Sequence, residues 1–211
     1  MNTTIRLGFI PLTDCAPLVI AQEKGWFRKH GLAVELVREP SSANIRDKVA
    51  LGLLDGGHML APMPLAATLG LGGLNRAIVT ALSLDLNGSA ITVAKGLWQQ
   101  MLQIDPQAGA TPLAAVAALR GVIERRRAAG ASPLTFAAVF PYSMHNYLLR
   151  TWLAAGGIDP DDDIRLIFVP PPLMVDNLAA RRIDGFSVGE PWNHRAVDLG
   201  VGRIAAASCE V

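Results

Sequence analysis

The feature that most constrains this chain is an alternation. Short apolar runs, each the length of one buried strand, trade places with helical patterns along almost the whole sequence. Parallel strands need a crossover connection, usually a helix, so the alternation predicts an α/β fold with mostly parallel sheets flanked by helices. Strands are expected at 5–10 ("IRLGFI"), 32–37 ("LAVELV"), 77–83 ("AIVTALS"), 90–94, 134–140 ("LTFAAVF"), 164–169 ("IRLIFV") and in "DGFSV". "HMLAP" reads as a further short buried strand before a small helix at 64–69. Helices are expected at 16–30, stopped by Gly31, and at 43–54, ended by "DGG". Others are expected in "MHNYLLRTWLAAGG", "MVDNLAARR" and "EPWNHRAVDLG", and residues 97–130 are Ala-rich and helical with a break at "DPQAGATP".

These elements fall into two successive blocks, joined near 87–94, where "NG" signals a turn, and again near 188–192. The expected division is lobe I at 1–88, lobe II at 89–188, and a return segment toward lobe I at 189–211. A chain that crosses out to a second lobe and back suits a ligand cleft between lobes. Its 211 residues, 51% of them hydrophobic and 18% charged, suffice for a sizeable core. Nineteen basic against eighteen acidic residues leave a formal charge of +1, which gives no electrostatic case for nucleic acid or an anionic membrane. The basic run at 125–127 reads as a solvated helix C-terminus. Cys15 and Cys209 make neither a disulfide framework nor a metal-ligand spacing, and Cys15 is expected to be buried and inert. "MNTTIRLGFIPLTD" runs straight into a strand with no secretory pattern, and no apolar run reaches about 18 residues. A cytoplasmic location without a membrane span is expected, or a periplasmic one if a leader has been trimmed.

The opening of the helix at 43–54 is the first candidate for chemistry. A small planar monoanion is best held by amides at a helix N-terminus with a few neutral or positive donors. Ser41, Ser42 and Asn44 stand where such amides are open, and the competing role for one serine is a plain N-cap. "DGGH" reads as a turn and scaffold, with His58 a buried strand-end histidine. His145 stands at a loop-to-helix entrance. "DPDDD" lacks the alternate spacing and terminal Glu of an EF-hand loop and reads as a helix-capping turn. There is no Walker A, no H-E-x-x-H and no G-x-G-x-x-G after a strand, so neither an enzyme nor a cofactor is expected.

"LGFIPLTDCAPLVIAQEKGWF", "ANIRDKVALGLLDGGHMLAPMPLA", "LNGSAITVA", "WLAAGGIDPDDDIRLIFVPPP" and "IDGFSVGEPWN" resemble, in this order, the nitrate-binding family of ABC-transporter substrate-binding proteins. That family includes nitrate- and bicarbonate-binding lipoproteins and cytoplasmic nitrate/nitrite sensors that partner an RNA-binding antiterminator. The resemblance implies a two-lobed, periplasmic-binding-protein-like (type II) fold and oxyanion binding, nitrate or nitrite first. It implies ligand positions at Ser42, where many members carry tryptophan, with its neighbours Ala43 and Asn44. Ser89, in the place of a family glutamine, and His145, matching the ligand histidine, complete the set in this chain. A further ligand lysine is implied beyond Val211. Glu190 and Trp192, in "GEPWN", are candidate hinge or cleft residues. The implied partners are ABC transporter subunits or an antiterminator regulator, and the unpatterned start favours the sensor branch. Two alternatives are an enzyme of the thiamine-pyrimidine-synthase type on the same fold, or a shortened homologue with an altered or lost ligand. That enzyme consumes a histidine and a pyridoxal cofactor, and its cysteine-rich motif is not matched here.

Overall fold

In a computed structural model that describes residues 4–73 and 75–211, the chain forms two compact units. One comprises Met1–Leu86 with Tyr142–Met144, the other Asn87–Pro141 with His145–Val211.

The first unit is built on a parallel sheet in the order β2-β1-β3, with β1 at Ile5–Phe9, β2 at Val34–Arg38 and β3 at Gly56–Gly57. The helix expected over 16–30 is cut in two, α1 (Ala16–Glu23) and α2 (Trp26–Lys29), because Gly25 takes φ 68° and left-handed backbone ends a helix. α3 (Ser42–Ala50) connects β2 to β3 and lays the fully buried Ile45 on the sheet. A side chain at position 57 would come within 2.5 Å of Ile45 Cγ2, so glycine there sets how closely α3 can pack. α4 (Pro62–Thr68) follows, and Ile10, Leu12, Leu54 and Met63 fill the core. Since the three strands run parallel, the loops that follow them, at 10–15, 39–41 and 58–61, all leave from one edge of the sheet.

Two expected strands of this unit are absent. "HMLAP" is not a strand: β3 stops at Gly57, and Pro62 soon starts α4. Residues 77–83 form no strand, with Val79 90% and Leu82 66% exposed. Apolar composition supplies strand propensity, but a strand exists only against a partner. Among the described residues, 77–86 make no backbone–backbone hydrogen bond.

The second unit begins with β4 (Ser89–Ala94), α5 (Lys95–Ile104) and α6 (Pro112–Ala128). The break expected between these helices is present, and Thr111 caps α6 by accepting from the Ala114 amide at 3.1 Å. Then come β5 (Leu134–Ala138), α7 (Met144–Ala155), β6 (Ile164–Phe168), α8 (Met174–Ala179), β7 (Gly185–Gly189), α9 (Trp192–Asp198) and β8 (Gly202–Ala207). The sheet order is β6-β5-β7-β4-β8, parallel at β5–β6 and β5–β7 and antiparallel where β4 meets β7 and β8. Met101, Leu119, Phe136, Leu149, Leu153 and Ile158 are fully buried within its core. Residues 189–211, expected to return toward lobe I, instead stay with this unit, because β8 pairs with β4 and Asn193 of α9 bonds to β4 and β7. The strand β8 has no counterpart in the expectations.

The acidic run closes a turn. Asp163 accepts from the Asp159 amide at 2.9 Å and pairs with Arg127, one of the arginines ending α6, while Asp161 pairs with Arg150. The backbone bond first, and Arg127 second, hold the Asp163 carboxyl below the usual carboxylate range. A lowered folded value contributes stability above the unfolded value, near pH 4, that is lost as pH falls through the folded one. With its side chain 19% exposed, the pair is worth about 0.5 kcal/mol. Asp163→Asn is therefore expected to flatten the stability–pH curve below about pH 4 by that amount and to leave the slope near pH 7 unchanged. Urea titrations at both pH values check it. Cys15 is buried, and that burial pushes its thiol up; Cys209 is exposed.

Candidate functional site

The mouth of α3 divides the work of its two serines. Ser41 is the N-cap: its Oγ accepts from the Asn44 amide at 3.2 Å and donates to Asn44 Oδ1 at 3.1 Å. Asn44, expected as a ligand residue, is exposed and has both its amide and its side-chain oxygen engaged by that cap. Ser42 differs. It is 3% exposed, and its Oγ meets no hydrogen-bond partner among the described residues. A buried hydroxyl left unsatisfied costs about 1–3 kcal/mol, and a bound acceptor or donor recovers that. The Ser42 and Ala43 amides also have no acceptor among the described residues, as first-turn amides do not within a helix. Glu39, just ahead of the mouth and 2% exposed, would repel an anion, but Lys48 Nζ lies 2.6 Å from its carboxylate and neutralises it. Together these groups offer a planar anion donors on a positive helix terminus.

His58 is scaffold with a partner that sequence reading missed. It is 5% exposed, its amide donates to Gly8 O at 2.8 Å, and its Nε2 lies 2.9 Å from Asp14 Oδ2. The carboxylate fixes the proton on Nε2. Asp14 and His58 follow β1 and β3 at the same edge of the sheet as Ser42, which follows β2.

In the second unit, Ser89 and His145 meet, although 56 residues separate them. Ser89 Oγ lies 2.9 Å from His145 Nδ1. Ser89 opens β4, and its backbone is tied to Ser208, whose amide donates to Ser89 O at 2.8 Å. His145 is 7% exposed in the first turn of α7, and beside it Asn146 Nδ2 donates to Pro141 O at 2.8 Å. When the serine donates to Nδ1, the imidazole carries its proton on Nε2 and is a donor there; when protonated, it adds charge. Either form suits an oxyanion.

Glu190 and Trp192, expected as hinge or cleft residues, flank the start of α9. Glu190 Oε2 accepts from the His194 amide at 3.0 Å, and the Glu190 amide donates to Gly88 O at 2.9 Å. Trp192 is half-buried. The ligand residues expected from sequence thus lie in both units, with Ser42, Ala43 and Asn44 in the first and Ser89 and His145 in the second. Among the described residues no three metal-ligating side chains gather, and no helix is long and apolar enough to cross a membrane.

Comparison with known proteins places these features in a family. The model of the NMT1-like family matches residues 1–211. The nitrate import ATP-binding protein NrtC of Synechocystis sp. PCC 6803 is 47% identical over 98% of this chain, which spans 29% of that protein. The bicarbonate transport ATP-binding protein CmpC of the same organism is 43% identical over the full chain, which spans 30% of it. In crystal structures, the periplasmic nitrate-binding protein NrtA from Synechocystis PCC 6803 superposes with a TM-score of 0.83 at 35% identity. That match covers 98% of this chain and 51% of NrtA. The chain therefore spans about half, or less, of the relatives it matches. Their fold, α/β sheets flanked by helices in the periplasmic-binding-protein manner, is the one described above.

Proposed function

The chain belongs to the NMT1-like family, and on that premise we propose that it binds a small oxyanion, nitrate or nitrite first, as part of an ABC-type import system. The observation that carries this is the Ser89–His145 pair. A buried imidazole is held by a hydroxyl at 2.9 Å at the start of a helix, on two residues that the resemblance implies as ligand positions. The α3 mouth supports it with the unsatisfied Ser42 hydroxyl and the two amides beside it. Binding, not bond-breaking, is the chemistry we assign to these groups, since each offers an oxyanion a neutral or cationic donor. Of the two roles expected from sequence, the names of the relatives favour transport over sensing. Retention of an antiterminator partner, released by nitrate, would reverse that placement.

The test is isothermal titration of the 211-residue protein with nitrate, nitrite and bicarbonate. Saturable nitrate or nitrite binding is expected. His145→Ala is expected to weaken it about tenfold. Saturation by bicarbonate alone would assign the site to the other oxyanion of the relatives. Unchanged nitrate affinity in folded His145→Ala would remove His145 from the ligand set.

A further inference from the structure

The whole chain is nearly neutral, with nineteen basic and eighteen acidic residues, but the charge is not evenly spread. Residues 20–32 hold Lys24, Arg28 and Lys29 against the single acid Glu23, with His30 beside them. All of these side chains are exposed. The same stretch exposes three large apolar residues, Ile20 at 46%, Trp26 at 52% and Leu32 at 43%. Exposed apolar residues scattered singly are ordinary, whereas a cluster framed by one sign of charge marks a surface that meets a partner. We infer that residues 20–32 form a peripheral docking surface for an anionic lipid bilayer. This face lies in the first unit alone and needs no bound oxyanion.

The backbone gathers these side chains together. Gly25, at φ 68°, turns the chain between α1 and α2, and the Lys24 amide donates to Ile20 O at 2.9 Å, one helical turn back. The Leu32 amide donates to Phe27 O at 2.9 Å, which returns Leu32 to the residue next to Trp26. The Arg28 guanidinium lies over the junction of the two helices, where a side chain at Gly25 would begin 3.4 Å from its Nη2. Among the described residues, none of Lys24, Arg28 and Lys29 enters an ion pair. Three uncompensated cations call for an anionic partner by charge complementarity. The apolar trio decides which kind. A surface of carboxylates meets only the charge, whereas a bilayer offers anionic headgroups with the acyl boundary just beneath them. Tryptophan settles at that boundary, and lysine and arginine lay their stems on apolar surface with the charge among the headgroups.

The experiment is co-sedimentation of the 211-residue protein with vesicles of phosphatidylcholine and phosphatidylglycerol in equal parts, and with vesicles of phosphatidylcholine alone. Each variant is measured beside a thermal melt. Native protein is expected to bind the mixed vesicles about tenfold or more tightly than the neutral ones, and to be released as salt rises from about 0.05 to about 0.5 M. Joint replacement Arg28→Gln with Lys29→Gln is expected to weaken binding about twentyfold, near fivefold per charge. Trp26→Ser is expected to weaken it about tenfold. Trp26→Phe keeps an aromatic anchor, so binding persists while the blue shift of emission that vesicles cause in the native protein disappears. No binding, equal binding to neutral vesicles, or either folded weakening variant binding as tightly as native protein overturns the inference. So does retention on immobilised poly-glutamate without vesicle binding, which would assign the face to an acidic protein. Should Trp26→Ser fail to fold, Trp26→Phe decides: a blue shift that persists without Trp26 overturns the inference, and its loss supports it.

Discussion

Gly185→Val is expected to cost the second unit about 3 kcal/mol, the upper end of what overpacking a core does. Gly185 opens β7, opposite Phe136 on β5 and Val93 on β4, so it sits between two strands that cannot both retreat. A Cβ there would lie 2.5 Å from Phe136 Cε1, 2.9 Å from Cδ1 and 3.0 Å from Thr92 O. The phenyl ring is 0% exposed inside the core, and the carbonyl belongs to β4, so the strain must spread to the sheet. Three of the four tryptophans, Trp98, Trp152 and Trp192, lie in this unit, so intrinsic fluorescence reports its unfolding. A urea titration should show the midpoint displaced with an unchanged slope. An unmoved midpoint would mean the ring has room that the packing denies it.

Asn193→Ala should cost a similar amount, about 3 kcal/mol, for a different reason. Asn193 is 0% exposed; its Oδ1 accepts from Thr92 Oγ1 at 2.8 Å and its Nδ2 donates to Val188 O at 2.8 Å. Truncation strands a buried hydroxyl, worth about 1–3 kcal/mol when unsatisfied, removes a second bond from the Val188 carbonyl, and leaves a small void. Adding Thr92→Val removes the stranded hydroxyl. The double variant is therefore expected to be more stable than the sum of the two single losses, and a double-mutant cycle by urea titration reads the difference. Strict additivity would show that the Thr92–Asn193 bond contributes nothing to holding α9 against β4.

Sequence reading recovered what is local and missed what depends on a partner. The strands β1, β5 and β6 and the break between α5 and α6 were legible because apolar runs and turn residues announce themselves. Residues 77–83 carry the same apolar signal as those strands, yet nothing pairs with them among the described residues. Conversely β8, "GRIAAA", carries little signal and is a strand because β4 offers it an edge. The site divides the same way. Ser42 and His145 were read from motif and position, but the Ser89–His145 contact closes a loop of 56 residues that no spacing encodes.

The antiparallel placement of β4 also sets an order of events during synthesis. β4 leaves the ribosome early, at Ser89–Ala94, but both of its neighbours come much later, β7 at Gly185–Gly189 and β8 at Gly202–Ala207. The nascent chain must carry an apolar strand with both edges open while more than ninety residues are added. Closing so long a loop is slow, and open strand edges invite intermolecular pairing meanwhile. β4 therefore has no strand of the second unit to pair with until β7 is released, and a chaperone that shields β4 would act on the stage at which this protein is most exposed to aggregation.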